Sequence, residues 1–407
     1  MANYRETRSL RKDKQRQAAV KADSREKRRQ ASLRRAARWA VAMAVLAAGA
    51  VAGWASLGPV RLSPVTDFRK TVGRYGGGYP VESGSGNVLQ AALVGDSLAL
   101  LWPTALDIHT PAAHRGLHRV QAYADPALHA CGDRLVQFDR ASGKLALLSK
   151  TGLLHEKELP RPLFCAGLNR RGDLAAACRA EGAASEIYAW DTKEVQVFSW
   201  RCEKEYTSAL QPASNGRGLG ICLIGTRQAA TYARFVEFDY DRDEPLTDIT
   251  IQDAWLYGAA PRGGSWLAVG DRAAYLMEKG AREPETYSYE GRALQAFALD
   301  EAGWCAVLLE DWDNRALLRV YDRQGALALE QSFARPPLEL ACRGGSVYLR
   351  FDNTLLRWSK NVGFRQSDSL PPGTQEAFPA SGAAYAITVR SVDRVRLRWR
   401  AAAETLF

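Results

Sequence analysis

The stretch VGDSLALLW (residues 94–102) combines a glycine turn with a short apolar strand, and the chain repeats this combination eight times. The turn glycines are Gly95, Gly132, Gly172, Gly218, Gly264, Gly303, Gly345 and Gly382. Successive glycines are 37 to 46 residues apart, with a mean of 41, which is the length of a four-stranded propeller blade. The spacing predicts an all-β fold, an eight-bladed β-propeller. A seven-bladed ring with one irregular repeat is the alternative.

The last repeat indicates how the ring closes. A fourth strand follows in seven repeats, but the eighth repeat ends near Trp399 without one. A ring hides its two sheet edges when a strand from the N-terminal side completes the last blade. Tyr79 to Ser83 precede the first repeat and are in position to do this. We therefore predict a propeller over residues 75–400, closed by the strand at 79–83 and followed by a C-terminal tail at 401–407.

The net charge of the chain comes from its first 38 residues. Residues 1–38 hold 14 Lys and Arg against four acidic residues, which accounts for the whole net charge of +10. The remaining residues carry basic and acidic side chains in equal number. A neutral large domain offers no electrostatic surface for nucleic acid, so no nucleic-acid partner is predicted. The basic segment is predicted to be a cytoplasmic tail beside the anionic inner leaflet, with a helix that docks a cytoplasmic partner or RNA as the alternative.

Residues 39–57, WAVAMAVLAAGAVAGWASL, form a run of 19 residues without a charge. As a helix this run is about 28 Å long, close to the hydrocarbon thickness of a bilayer. The basic tail before it is too long for a cleaved signal peptide and places the N-terminus in the cytoplasm. The sequence therefore predicts a single-pass signal anchor in the cell membrane, with the propeller outside the cytoplasm. Residues 58–74 are expected to be a linker in which Pro59 and Pro64 stop the helix.

The order of basic tail, apolar span, the segment RYGGGYPVE (residues 74–82) and degenerate repeats resembles a family of uncharacterised membrane-anchored proteins of Gram-positive bacteria. Eight blades of this length are also similar to quinoprotein-like propellers, which include dehydrogenases and a lipoprotein of outer-membrane assembly. The regularly placed Trp-Asp and Gly-His dipeptides of the WD-repeat group are absent from the sequence. The resemblance implies the architecture and transfers no catalytic residue.

Three of the five histidines form a candidate metal site. His109, His114 and His118 lie in IHTPAAHRGLHRV, and two imidazoles four residues apart on a helix can share a metal ion. Here the segment is predicted to be a hairpin loop between the third and fourth strands of the first repeat, with only Asp107 as a further ligand nearby. We therefore expect an exposed loop and no bound metal.

Two acidic clusters are candidates for a calcium-binding loop. Asp239-Tyr-Asp-Arg-Asp-Glu244 begins like such a loop, but its sixth position is Glu244 instead of glycine and its twelfth is Thr250 instead of glutamate. The cluster at residues 311–314, Asp-Trp-Asp-Asn, is shorter still. Both are predicted to be solvated turns between strands.

Seven cysteines in a domain outside the cytoplasm raise the question of disulfides. Their number is odd, no CxxC pair occurs, and six of them fall on first or second strands of repeats, where a small apolar side chain packs well. Buried free thiols are predicted. Cys165 and Cys178, on either side of the third turn, are the pair expected if a bridge forms.

The sequence contains no assembled catalytic set. GxSxG, P-loop and dinucleotide-binding motifs are missing, so no cofactor and no catalytic residue are predicted. Carboxylates brought together from separate blades remain an open alternative, since sequence spacing does not reveal them. Most tryptophans fall on strands and are explained by packing. Trp255 and Trp312 lie nearer to loops, which makes them the candidates for stacking on a ligand.

These observations favour a membrane-anchored interaction scaffold that presents its propeller to another envelope protein. A ligand sensor or carbohydrate-binding module is the second hypothesis, and the GxxxG spacing from Gly49 to Gly53 would let two such spans associate. A hydrolase or quinoprotein-type enzyme is the third. The predicted contacts are the lipid bilayer through residues 39–57 and an envelope protein through the propeller.

Overall fold

Eight antiparallel sheets form the blades of a ring in the computed structural model, which describes residues 58–82 and 87–403. The prediction of an eight-bladed propeller is confirmed, and the seven-bladed alternative is wrong. Each blade takes its strands in chain order from the inside of the ring outward.

The strands of blades 1 to 4 are β2 (Gln90–Val94), β3 (Ser97–Leu101), β4 (Ala105–His109) and β5 (Arg115–Val120); β6 (Pro126–Cys131), β7 (Arg134–Asp139), β8 (Lys144–Ser149) and β9 (Gly152–Glu158); β10 (Leu163–Leu168), β11 (Leu174–Cys178), β12 (Ser185–Trp190) and β13 (Gln196–Cys202); and β14 (Tyr206–Pro212), β15 (Gly218–Arg227), β16 (Ala230–Asp239) and β17 (Thr247–Gln252).

The strands of blades 5 to 8 are β18 (Leu256–Arg262), β19 (Ser265–Gly270), β20 (Ala273–Glu278) and β21 (Glu285–Ser288); β22 (Leu294–Leu299), β23 (Cys305–Asp311), β24 (Arg315–Tyr321) and β25 (Leu327–Phe333); β26 (Glu339–Arg343), β27 (Ser346–Phe351), β28 (Thr354–Ser359) and β29 (Gly363–Ser367); and β30 (Glu376–Ala380), β31 (Ala383–Ile387) and β32 (Ser391–Arg396). Two short strands, β1 (Val81–Glu82) and β33 (Trp399–Ala401), complete blades 8 and 7.

The apolar second strands form the core between blades. All five residues of β3 are buried, and alternate side chains point to opposite sides of the sheet. Leu98 and Leu100 pack against blade 8 around Tyr385, whereas Ala99 and Leu101 pack against blade 2 around Leu135. A strand that is buried on both sides needs apolar residues throughout, which is why the strands after the turn glycines read as continuous apolar runs.

The ring closes through β1, which lies within the segment from which the closing strand was expected. Val81 pairs with Val392 and Glu82 with Ser391, so β1 is the outer strand of blade 8. Ser83, the last residue of the predicted closing strand, lies outside the described residues. β33 pairs with β29 as a fifth strand of blade 7, with Ala401 opposite Arg365. The tail predicted from residue 401 therefore starts inside a strand.

The ring has two distinct faces because its first strands run in a common direction. Their C-terminal ends meet at one face, where the Gly95 amide bonds the Gly132 carbonyl at 2.6 Å and the Gly345 amide bonds Asp300 Oδ2 at 2.8 Å. This is called the glycine face. Their N-terminal ends meet at the opposite face, where Trp255 precedes β18, and this is called the mouth face.

The segment expected to be a linker contains a helix, α1 (Pro59–Thr71), on the glycine face. Pro59 at the first helical position is favourable, because its missing amide hydrogen would have no partner there. Pro64 lies inside the helix, contrary to the prediction that it stops one. It leaves the Val60 carbonyl without its usual amide donor. Ser63 Oγ donates to this carbonyl at 2.9 Å, and Arg134 at the start of β7 donates to it from Nε, at 3.2 Å, and from Nη2.

A buried carboxylate fixes the second half of α1 to blade 2. Asp67 is 4% exposed and accepts hydrogen bonds from Ser149 Oγ at 2.8 Å, the Lys150 amide at 3.2 Å and Thr151 Oγ1 at 2.6 Å. These donors belong to the turn between β8 and β9. The carboxylate therefore acts as the cap of this turn and attaches the helix to it.

The glycines of RYGGGYPVE allow the chain to cross closely from α1 to blade 8. A Cβ atom on Gly76 would lie 1.9 Å from the Ala113 carbonyl oxygen, so only glycine fits at this position. The Gly76 amide bonds the Ala112 carbonyl at 2.9 Å, and Tyr79 OH donates to the Thr110 carbonyl at the same distance. The motif thus follows the turn between β4 and β5 on its way to β1.

The predicted basic tail (1–38) and apolar span (39–57) lie outside the described residues. Within the part of the chain that the structure describes, no helix combines the length and the hydropathy needed to cross a bilayer.

Candidate functional site: the axial cavity and its aromatic mouth

A cavity of about 670 Å³ lies along the axis of the ring between blades 2 and 6. First strands of five consecutive blades form its wall, with apolar side chains that include Leu128, Ala166, Leu210, Ala259 and Leu299. Such a volume matches the clefts in which proteins enclose small organic molecules.

Polar contacts cross the axis at the glycine face. Glu301 follows β22 in blade 6, and its Oε1 accepts a hydrogen bond from the Gly132 amide of blade 2, four blades away. Its Oε2 lies 3.9 Å from Arg170 Nε of blade 3. Arg343 of blade 7 donates to the Gly95 carbonyl and, at 3.3 Å, to the Pro379 carbonyl. These bonds make the glycine end of the axis its polar end.

The two carboxylates that line the cavity are already engaged. Asp300 accepts the Ala302 amide at 3.0 Å and the Gly345 amide at 2.8 Å, one on each oxygen. Glu301 is held by Gly132 and Arg170 as described. A general acid or base needs a carboxyl oxygen that faces the substrate. Here both oxygens of Asp300 and one oxygen of Glu301 accept backbone amides of the propeller.

The thiols and the imidazole of the wall are uncharged at neutral pH. Burial raises the pKa of Cys165 to about 12, and burial together with the nearby Glu301 carboxylate raises the pKa of Cys131. Burial lowers the pKa of His129, which favours its neutral form. A thiol without thiolate character is a weak nucleophile, so the wall is suited to binding more than to reaction.

A row of three aromatic rings leads from the mouth face into the cavity. Trp255 and Tyr257 are exposed, with ring centroids 6.4 Å apart and planes at 22°. Tyr257 is followed by Phe297 of blade 6 at 6.2 Å and 23°, and both Tyr257 and Phe297 line the cavity. Of the three residues in this row, only Trp255 was predicted from the sequence. Tyr257 lies two residues later and therefore points to the same side of the chain, whereas no local signal connects Phe297 to this row.

Trp312, the second tryptophan singled out from the sequence, is 78% exposed in the turn between β23 and β24. This turn also belongs to the mouth face, but Trp312 is not among the residues that line the cavity. Trp255 does not line the cavity either, but it stacks on Tyr257, which does, and this contact connects Trp255 to the cavity.

The three clustered histidines do not share one loop, as the sequence had suggested. His109 ends strand β4 and is buried, His114 lies in the turn, and His118 is on β5 with its Nδ1 2.7 Å from Asp107 Oδ1. Within residues 58–82 and 87–403, no three metal-ligating side chains converge on a common point. The run at residues 239–244 lies at the end of β16 and in the turn that follows, and Asp311 is bonded by Arg292 Nε at 3.2 Å.

All seven cysteines are free. The suggested pair is not formed, because Cys165 lies opposite Ala177 and Cys178 lies opposite Leu163, with the two thiols on different sides of the sheet. Cys165 packs toward blade 4 with Ala177, whereas Cys178 packs toward blade 2. The alternation of strand side chains separates them.

Comparisons with known proteins identify the class of fold. The structure is similar to the C-terminal WD40 domain of Sif2, with 11% identity and a TM-score of 0.54 over 78% of this chain and 97% of that one. It is also similar to the Dos1 propeller, with 11% identity and a TM-score of 0.56 over 78% of this chain and 94% of that one. A third similar structure is the computationally designed Ika8 protein, with 8% identity and a TM-score of 0.52 over 78% of this chain and 98% of that one. At such identities the likeness shows the β-propeller fold alone.

No protein-family model matches the chain, and the comparison with curated proteins finds no match. The resemblance to the Gram-positive membrane family and to quinoprotein-like propellers therefore remains a hypothesis.

Proposed function

We propose that this protein is a membrane-anchored interaction platform of the cell envelope, which binds a partner protein through its mouth face. The observation that carries this proposal is the set of exposed large apolar side chains on that face. These side chains belong to blades 4 to 7. Four of them lie on or directly before a first strand, namely Tyr206, Trp255, Tyr257 and Leu338, and the fifth, Trp312, lies in the turn between β23 and β24. Exposed aromatic side chains that surround a pocket are typical of the energetic centres of protein interfaces.

The fold supports the same class of function. Propellers commonly serve as protein-interaction scaffolds, and their loops can vary without loss of the ring. The carboxylates of the axial cavity are held by backbone amides and by Arg170, which argues against acid and base catalysis at this site. An enzyme is therefore the least supported of the three hypotheses.

The sequence supports the membrane anchor in this proposal. Residues 39–57 carry no charge, and α1 begins at Pro59, two residues later. Because α1 is attached to the glycine face, an anchor at 39–57 would be connected to the propeller through that face. The mouth face would then be free to meet a partner outside the cytoplasm.

The partner is tested by photocrosslinking in intact cells, using the full chain. A benzoylphenylalanine replaces Leu338 or Tyr206 on the mouth face, and a third variant carries it at Arg242 on the glycine face as the matched control. We expect one protein adduct of the same mass from both mouth-face positions and none from position 242. Adducts of equal yield from all three positions, or no adduct from 338 and 206, would contradict the proposal.

Topology is tested separately by protease treatment of intact cells or spheroplasts, with tags at Ala2 and Phe407. The proposal requires loss of the C-terminal tag while the N-terminal tag is protected. Survival of the C-terminal tag until lysis would place the propeller in the cytoplasm.

A small uncharged ligand in the axial cavity is the second candidate function. Its support is the apolar wall of the 670 Å³ cavity together with the row of Trp255, Tyr257 and Phe297, on which a planar organic ring or the apolar face of a sugar can stack. Saturable quenching of tryptophan fluorescence by such a ligand, lost in Trp255→Ala, would favour this candidate over a protein partner.

A further inference from the structure

Helix α1 has the polarity of its two sides reversed with respect to a helix on a water-facing surface. The side that faces the propeller buries Val60, Ser63 and the carboxylate of Asp67. The exposed surface carries Val65 and Phe68, with Val72 directly after the last helical residue, and Phe68 is 68% exposed. Buried polar groups and exposed large apolar ones are the informative exceptions to the usual distribution.

The exposed apolar residues of α1 and its C-terminal extension form one stripe. Val65, Phe68 and Val72 are separated by three and four residues, which places them on the same side of a helix. Tyr75, just beyond the helix, is 80% exposed and extends the apolar surface. The stripe is defined as Val65, Phe68, Val72 and Tyr75.

The exposed charges of the segment that carries the stripe are all positive. The segment holds Arg61, whose Nε donates to Thr192 Oγ1 at 3.0 Å, and Arg69, Lys70 and Arg74, and the only acidic residue between positions 58 and 78 is Asp67, whose carboxylate is buried against blade 2. An apolar stripe between basic side chains is the pattern of helices that lie at the surface of a membrane with anionic lipids.

The helix is fixed in this orientation by the propeller itself. Arg134 and Ser63 satisfy the Val60 carbonyl that Pro64 leaves free, and Asp67 caps the turn from Ser149 to Thr151. Turning the stripe inward would break both sets of bonds and expose the carbonyl and the carboxylate. The stripe is therefore held on the outside of the domain, where an occupant from outside can contact it.

We propose that this occupant is the headgroup region of the bilayer, so that α1 seats the glycine face on the membrane surface. This inference rests on the proposed membrane anchor, because the charge-free run 39–57 ends two residues before α1 and keeps the helix near the bilayer. The stripe enters the boundary between headgroups and acyl chains, and the basic side chains bind anionic headgroups. The protein would then be attached to the membrane by its span and also held with its glycine face against the bilayer surface.

The test uses the full chain in cell membranes or in vesicles that contain a clickable anionic lipid. Benzoylphenylalanine is introduced singly at Phe68, at Val72, at Trp312 as an equally exposed control on the mouth face, and at Val45 within the predicted span. We expect lipid adducts at 68 and 72 in about tenfold higher yield than at 312. Replacing Arg69, Lys70 and Arg74 together by glutamine should lower the yield at position 68 several-fold without changing the yield at 45.

The control at Val45 separates the two proposals. Lipid adducts at 45 but not at 68 or 72 would overturn the seating and leave the anchor intact. No lipid adduct at 45 would overturn the anchor and the seating with it. A protein adduct at 68 in place of lipid would overturn the seating and identify the stripe as a protein interface. Because Phe68 and Val72 are exposed, these variants keep the bonds of Asp67 and Arg134.

Discussion

The two ends of the propeller axis are built from opposite chemistry. At the glycine face, Glu301 bonds across the axis to the Gly132 amide of blade 2, and Arg343 of blade 7 bonds backbone carbonyls of blades 8 and 1. At the mouth face, the row of Trp255, Tyr257 and Phe297 stands beside an apolar cavity. Charged residues of the glycine face bind backbone groups of the same chain, whereas Trp255 and Tyr257 of the mouth face are exposed and available to a binding partner.

This difference separates residues that stabilise the fold from residues available for binding. Side chains of the glycine face such as Arg134 and Asp67 are buried, and each satisfies several partners. Removing one of them leaves buried polar groups without partners, which costs more than the net value of the lost bonds. The aromatic side chains of the mouth should tolerate replacement, since part of their surface is already in water.

Arg134→Met tests the glycine face most severely. Arg134 is 6% exposed and donates to the Val60 carbonyl and, at 3.0 Å, to the Arg170 carbonyl. Methionine keeps the length of the side chain but removes the donor of the Arg170 carbonyl and leaves the Val60 carbonyl with Ser63 Oγ alone, so we expect the free energy of unfolding to fall by about 3 kcal/mol. Denaturation by urea measures this. Arg140→Met, which removes an exposed pair with Asp125, is the control and should change it by less than about 0.5 kcal/mol.

Asp67→Ala should have the next largest effect. It removes three hydrogen bonds to the turn between β8 and β9, and we expect a loss of about 2 kcal/mol. Detachment of α1 should also speed proteolysis in the crossing segment at residues 72–78. The matched control is Thr66→Ala on the exposed side of α1. Equal proteolysis rates in the two variants would show that Asp67 does not hold the helix.

Acid should lower the free energy of unfolding through His109 at the glycine face, and this effect should be smaller than that of Asp67→Ala. Burial lowers the pKa of His109 from 6.5, opposed by Asp107 and assisted by Arg115 and His114, and its Nδ1 has no hydrogen-bond partner. The unfolded chain therefore binds a proton near pH 6.5 while the folded chain does not. The stability contribution is present above that pH and is lost as the pH falls below it.

His109→Leu should make the free energy of unfolding less dependent on pH between 7 and 5. His129 and His155, whose pKa values burial also lowers, would keep part of the slope. His118→Gln, a replacement at an exposed position of the neighbouring strand, is the control. An unchanged slope in His109→Leu would show that His109 is protonated equally well in the folded chain.

The local pattern of the sequence predicts the ring because every blade repeats it. Seven of the eight predicted turn glycines lie between the first two strands of a blade, whereas Gly218 begins β15 and Gly216 is the turn glycine there. The missing fourth strand of the last repeat points to β1. Helix α1 could not be predicted in this way. Pro64 removes a helical hydrogen bond locally, and the arginine that helps to satisfy the freed carbonyl is 74 residues away from Val60 in the chain.

The candidate site could also be predicted only where it depends on local sequence. Trp255 was found because it lies in a loop, and Tyr257 could have been found from strand alternation. Phe297 and Glu301 reach the axis from blade 6, and Glu301 meets Gly132 only because an eight-bladed ring places blades 2 and 6 opposite each other. Contacts across the axis depend on closure of the ring, which no local stretch of sequence encodes.

Trp255→Ala should have the smallest effect on stability and a large effect on binding, which is the sharpest contrast with Arg134→Met. The exposed indole loses its stacking on Tyr257, so the free energy of unfolding should fall by only about 0.5 kcal/mol. If the mouth face binds the partner protein, the adduct formed by benzoylphenylalanine at Leu338 should disappear in this background. Tyr75→Ala, which removes a more exposed ring connected to the glycine face (80% exposed against 45% for Trp255), should leave the adduct unchanged. An adduct at Leu338 that survives Trp255→Ala would show that Trp255 does not contribute to partner binding, and its loss in Tyr75→Ala would show that the face that carries α1 contributes instead.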